Sequence, residues 1–192
     1  MTPQDVLDFW FLPASDEGHG KPRAEWFRKD AAFDAAIRER FGAPIALAVG
    51  GGLRDWDTQG PQGKLARILV LDQLTRNSAR GTPDAFAGDA LALAAARELV
   101  DSGDDRKLTP VQRSFAYMPF EHAEDAAMQE LAVQLFSELS REHPGFESSL
   151  DYAHRHRGVI ARFGRFPHRN PILGRTSTPD ELEYLAQPGS GF

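Results

Sequence analysis

The sequence predicts an all-α protein folded as a single domain, and three observations carry that reading. Four Thr-Pro pairs, Thr2-Pro3, Thr82-Pro83, Thr109-Pro110 and Thr178-Pro179, each place a capping hydroxyl before a proline suited to the first helical position. Val and Ile number only 12 against 45 Ala and Leu, and no long stretch alternates apolar with polar residues, so strands have little support. The 192 residues are enough for one sizeable core and too few for two comfortable ones, and no linker divides them.

About eight helices are expected, at 3–11, 24–41, 61–77, 83–101, 110–118, 122–141, 146–163 and 179–186. Thr109 with Gln112 and Thr178 with Glu181 extend two of the Thr-Pro starts into capping boxes. Asp101-Ser102-Gly103 and Gly164 read as helix stops. Pro119 is expected to break a helix, so that 121–125 open the next one. The Gly- and Pro-bearing stretches at 12–22, 50–60 and 166–178 read as loops. The domain then spans 1–186, with a frayed tail at 187–192.

Composition excludes several classes. There are no cysteines, hence no disulfide scaffold, thiolate metal site or cysteine nucleophile. The longest apolar run, 90–96, is far short of a membrane span. Asp5 and Asp8 interrupt the first apolar stretch, which is no secretory signal. A soluble, cytoplasmic protein with no membrane partner is expected. The net charge of −6 argues against nucleic acid as a partner.

Familiar catalytic signatures are missing. Gly60-Pro61-Gln62-Gly63-Lys64 resembles a phosphate loop, but Thr58 stands where its first glycine belongs and Leu65 where a magnesium-holding hydroxyl belongs. No Glu-x-x-His or His-Glu-x-x-His is present, and His154 and His156 point apart on a helix, so no metal site is expected. No cofactor signature is present either.

The charge is unevenly placed. The window 152–179 holds no acid and six arginines, with His154, His156 and His168 among them, and arginine outnumbers lysine 18 to 4 in the chain. Arginine's planar fork pairs bidentately with carboxylate or phosphate. Two readings follow: the window docks on the acidic remainder of its own chain, or it builds a positive pocket for a small anion.

Polar residues also stand where apolar ones are expected. Leu65, Ile68 and Leu69 form an apolar helical stripe that Asp72 and Arg76 continue at i, i+4, with Arg80 just beyond. His156 sits within the apolar face of Tyr152, Val159, Ile160 and Phe163. His122, placed at a helix start, would face the positive end of the helix dipole and stay neutral. Phe163-Gly164-Arg165-Phe166-Pro167-His168-Arg169-Asn170 is a stiff turn that presents donors from a rigid loop.

These segments together resemble the domain-of-unknown-function 924 family of bacterial proteins. The resemblance rests on Leu71-Asp72-Gln73-Leu74-Thr75-Arg76-Asn77 with Arg80-Gly81-Thr82-Pro83, on Met118-Pro119-Phe120-Glu121-His122-Ala123-Glu124, on the octet 163–170, and on Leu173-Gly174-Arg175-Thr176-Ser177-Thr178-Pro179. It implies a tetratricopeptide-like α–α superhelix and brings no established activity. Leu74-Thr75, where the family often has Phe-Pro, implies that the third helix ends later here. Ala123, where Ser is common, argues against a hydroxyl nucleophile there.

The expected function is an Arg/His pocket for a small carboxylate or phosphate ligand, with cofactor-free hydrolysis or proton transfer as its chemistry. Arg165 and Arg169 are the expected anion clamps, Arg76 and Arg80 the opposite wall, and Asp72 and Glu124 the groups that orient them. His122, His156 and His168 are the candidate general acids and bases. The alternative is a non-enzymatic tetratricopeptide-like module that captures an acidic peptide, its Arg/His network partly structural.

Overall fold

The computed structural model describes residues 1–191, which are helical with no strand among them. Phe192, the end of the tail expected to fray, lies outside the described residues. The chain divides into two compact units. One comprises Met1–Arg80 with Asp84–Pro119, the other Gly81–Pro83 with the residues from Phe120 onward.

In the first unit, α1 (Pro3–Phe11) starts with a capping box: Thr2 N–H donates to Asp5, and Asp5 N–H donates to the Thr2 hydroxyl. It buries Val6, Leu7, Trp10 and Phe11. Arg23 donates to the Phe9 and Trp10 carbonyls near its end, at 2.7 and 2.9 Å. The helix expected from 24 begins later. Ala24–Trp26 is a 3-10 turn, and α2 (Ala31–Val49) starts where the Asp30 carboxylate accepts from the Ala32 and Phe33 N–H groups. It also runs beyond 41, through Pro44. A proline removes one helical hydrogen bond, and burial of Phe41, Ile45 and Ala48 on either side keeps this segment helical.

The helix expected at 61–77 is interrupted in its middle. α3 (Gly60–Leu69) passes into a π-helical turn, Val70–Leu74, and then into α4 (Thr75–Ser78). Both the N–H and the hydroxyl of Thr75 donate to the Val70 carbonyl, which closes the wide turn. The predicted stripe is buried at Leu65, Ile68 and Leu69, and Asp72 is buried with it.

The start predicted at 83 is a 3-10 turn, Pro83–Phe86, and α5 (Asp89–Asp101) begins six residues later. Gly88 before it packs directly on the Leu71 carbonyl of the π turn, where a Cβ would strike the oxygen. The stop read at 101–103 is present, with Gly103 left-handed at φ 71°. α6 (Pro110–His122) carries the predicted Thr109–Gln112 box. It does not break at Pro119. Tyr117 and Phe120 on either side are fully buried, and their packing outweighs the one lost hydrogen bond.

In the second unit, Asp125 caps α7 (Ala126–Glu142), which packs against α8 (Glu147–Phe163). Gly164, left-handed at φ 70°, ends α8 as predicted. A short 3-10 turn, Pro167–Arg169, follows, and the Thr178–Glu181 box opens α9 (Pro179–Leu185).

Candidate functional site

The arginines chosen from the sequence each meet groups of their own unit. In the first unit, Arg76 donates to Asp89 at 2.7 Å, lies 3.5 Å from Asp72, and stacks over Phe86 at 5.3 Å. Asp72, fully buried in the π turn, also accepts from the Gln73 amide at 2.7 Å. Arg80 forks onto Asp34 at 2.8 and 3.1 Å and reaches the Asn77 amide oxygen at 3.2 Å.

In the second unit, Arg165 forks onto Glu181 at 2.6 and 2.8 Å and donates to the Thr176 carbonyl. Glu181 is buried and also accepts from Thr178 N–H and from Asn170. The Arg165 hydrogen bonds, helped by the Thr178 N–H, outweigh burial and pull its carboxyl down to about 2. Arg175 forks onto Glu124 at 2.7 and 2.9 Å, and also donates to Asn170 and to the Phe166 carbonyl. Burial pushes the Glu124 carboxyl up, but the Arg175 and Phe166 N–H hydrogen bonds more than offset it and hold it below its ordinary range. Glu124 therefore orients Arg175, a residue outside the set predicted from the sequence. Arg169 is buried. It donates to the His122 carbonyl at 3.0 Å and places its guanidinium 4.5 Å from the Phe166 ring.

The three histidines gather in this same unit. His156, buried on α8, puts Nδ1 2.8 Å from a Glu121 oxygen and 2.9 Å from the Tyr152 carbonyl. Both neighbours are acceptors, so Nδ1 carries the proton and Nε2 is the ring's basic nitrogen. The His156 ring meets Phe166 edge to face at 5.4 Å, and the His122 ring lies 6.4 Å away. His168 lies 5.7 Å from Phe166 on the loop. The buried, hydrogen-bonded Phe166 thus sets the spacing of His156, His168 and Arg169. His122 and His168 are half-buried.

His122 occupies the last turn of α6, not a helix start. Because the helix continues through Pro119, the expected positive-dipole environment is reversed: this end carries carbonyls. Gln129 of α7 closes it, its amide donating to the carbonyls of Phe120, Glu121 and Ala123. Glu121, Gln129, Asn170, Arg175 and Glu181 lie outside the set of site residues predicted from the sequence. The Thr178–Glu181 box drew Glu181 into a capping role, which hid its second one as the partner of Arg165.

Among the described residues, no group of three or more His, Asp or Glu side chains is arranged to hold a metal ion. No helix among them is long and apolar enough to cross a membrane.

A family model described as "Bacterial protein of unknown function (DUF924)" matches residues 6–189. The chain is 40% identical to a protein of unknown function, ATU0120, from Agrobacterium tumefaciens. The match to that solved structure covers 96% of each chain with a TM-score of 0.81. No curated protein matches the chain.

Proposed function

The chain belongs to the DUF924 family of bacterial proteins of unknown function, and we propose that it is a cofactor-free proton-transfer catalyst acting on a small anionic substrate, with Glu121 and His156 as its acid–base pair. One observation carries this reading: the Nδ1 atom of His156 is held between a carboxylate and a carbonyl. That arrangement fixes the tautomer and directs basicity to Nε2. When Nε2 takes a proton from water or from an acidic carbon, the imidazolium forms beside Glu121, whose carboxylate stabilises it. Returning the proton to the leaving or product atom restores the neutral ring.

The anion is held, in this reading, by Arg169, with His122 and His168 as neighbouring donors. Arg165 and Arg175 serve differently. Each is forked onto a buried or half-buried carboxylate, and a guanidinium so engaged stiffens the loop at 163–178 that carries His168 and Arg169. In the first unit, Arg80 forks onto Asp34 and Arg76 donates to Asp89.

A thermal-shift panel of carboxylates and phosphate monoesters tests the proposal. A ligand at 100 times its dissociation constant adds about 2.7 kcal/mol, which raises the melting temperature by roughly 5–10 °C for a chain of this size. Arg169→Ala should abolish the shift, while His156→Gln should keep it and abolish turnover of the same compound. Silence across the panel, or a hit unaffected by Arg169→Ala, overturns the reading.

A further inference from the structure

The first unit holds a cavity of about 220 Å³ that the proposed chemistry does not use. Its apolar floor is Leu7 and Phe11, both buried on α1. Its polar lining comes from Asp8, Gln62 and Gln112, with Gln4 and His19 at the side. The only formally charged residue in that lining is Asp8, half-buried and negative.

The hydrogen-bonding capacity of this lining is pinned by backbone groups. Thr109 N–H donates to Gln112 Oε1 at 3.1 Å, so the oxygen of that amide faces the start of α6. The same oxygen accepts from Gln62 Nε2 at 3.0 Å, which fixes the second amide as well. Gln112 Nε2 and Gln62 Oε1 then have no hydrogen-bond partner among the described residues, and Gln112 is only 8% exposed. Asp8 accepts from Gln4 through Oδ1 alone, at 2.7 Å, which leaves Oδ2 without a partner among the described residues. His19 gives its Nδ1 proton to the Leu12 carbonyl, so its Nε2 is an acceptor.

We propose that this cavity binds a small molecule carrying a primary ammonium beside a carboxamide on an apolar side chain, the chemistry of an amino-acid amide. Asp8 takes the ammonium, since a lone carboxylate over an apolar floor selects a cation. Gln112 Nε2 and Gln62 Oε1 supply the donor and the acceptor that match a carboxamide's oxygen and NH₂. Leu7 and Phe11 receive the side chain. The volume lies below the ~300–1,000 Å³ of sites for drug-sized ligands, which fits an occupant of amino-acid size.

The test is an NMR titration of the full chain with leucinamide, followed through the side-chain amide signals of Gln62 and Gln112 and the backbone amide of Ala14, another residue of the lining. Saturable shifts at these signals are expected. N-acetyl-leucinamide, which keeps the carboxamide and side chain but lacks the charge, should bind at least about tenfold more weakly, as should leucinamide to Asp8→Asn. Gln62→Ala, at an exposed position where folding is not at stake, should also weaken binding. Equal binding of the acetylated compound, or no shifts at about 10 mM leucinamide, overturns the proposal. The His156 reading is unaffected by either result, because its ligands are anions and its residues lie in the other unit.

Discussion

Glu121 and His156 meet through a 2.8 Å contact between a carboxylate oxygen and Nδ1, and both side chains are about 7% exposed. They come from different elements, α6 and α8, and are 35 residues apart in the sequence. The Tyr152 carbonyl, one turn earlier on α8, shares the same nitrogen. A buried imidazole with two acceptors on one nitrogen has its tautomer chosen by the fold. The contact ties the end of α6 to the middle of α8.

The first prediction concerns that tautomer. In wild-type protein, ¹⁵N spectra of the neutral His156 ring should show the proton on Nδ1. Glu121→Gln keeps the volume but replaces a carboxylate by an amide. It should lower stability by about 1–3 kcal/mol, the cost of poorly satisfying a buried polar group. Urea unfolding measures that loss. A His156 ring protonated on Nε2 in the wild type would contradict the geometry.

Gln129 provides a second. Its one amide group donates to three carbonyls at the end of α6, at 2.7, 2.8 and 3.4 Å, and the residue is fully buried. These carbonyls belong to the last turn and its exit, where a helix has no donors of its own. Gln129→Leu should cost about 1–3 kcal/mol. It should also broaden the His122 and His156 ring signals, since the turn bearing Glu121 and His122 loses its tether. Unchanged ring signals would show that the turn is held by packing alone.

Acid sensitivity follows from Glu181. Its carboxyl is depressed from an ordinary value of 4.5 to about 2, chiefly by Arg165. A carboxylate depressed on folding contributes stability that is fully present above its unfolded value. That contribution is lost as pH falls toward the folded one. The wild-type protein should therefore lose stability between pH 4.5 and about 2 in excess of Glu181→Gln, which has no proton to take up at this position. The difference between the two urea midpoints, measured across that range, should shrink as pH falls. A difference independent of pH would mean that the Arg165 fork does not hold Glu181 ionised.

Several local signals in the sequence were enough to read parts of the fold. The Thr109–Gln112 and Thr178–Glu181 boxes, the stop at Gly164 and the stripe of Leu65, Ile68 and Leu69 all occupy a few consecutive turns, and the structure contains each. Pro119 misled for the opposite reason. Pro44 and Pro119 each carry a local penalty, but burial of their neighbours, settled by contacts distant in sequence, decides the outcome. The pairings in the candidate site were not legible in the sequence. Arginines in the acid-free window 152–179 do meet acids outside it, Arg165 with Glu181, Arg175 with Glu124 and Arg157 with Glu130. Which acid each would meet depends on how α7, α8 and the following loop fold back, and no spacing encodes that. The π turn leaves no signal in the sequence, because Asp72 and Arg76 fit an ordinary helical period equally well.

The π turn leads to a final prediction, which contrasts two glycines. Gly88 sits against the Leu71 carbonyl, and the three atoms nearest to an added Cβ are all backbone atoms of Leu71. Backbone cannot step aside as a flexible side chain can, so Gly88→Ala must displace α5 from the π turn or distort that turn. Overpacking of this kind costs about 1–3 kcal/mol or more. It should also disturb Asp72 and Arg76, because Arg76 reaches Asp89, the residue after Gly88. Gly158 is the opposite case. It lies inside α8, exposed, with nothing within 4 Å of an added Cβ. Gly158→Ala removes backbone freedom from the unfolded chain and should stabilise the protein by about 0.4–1 kcal/mol. Paired urea melts of the two variants decide the matter. Equal effects would mean that the close approach of Gly88 to Leu71 does not constrain the π turn.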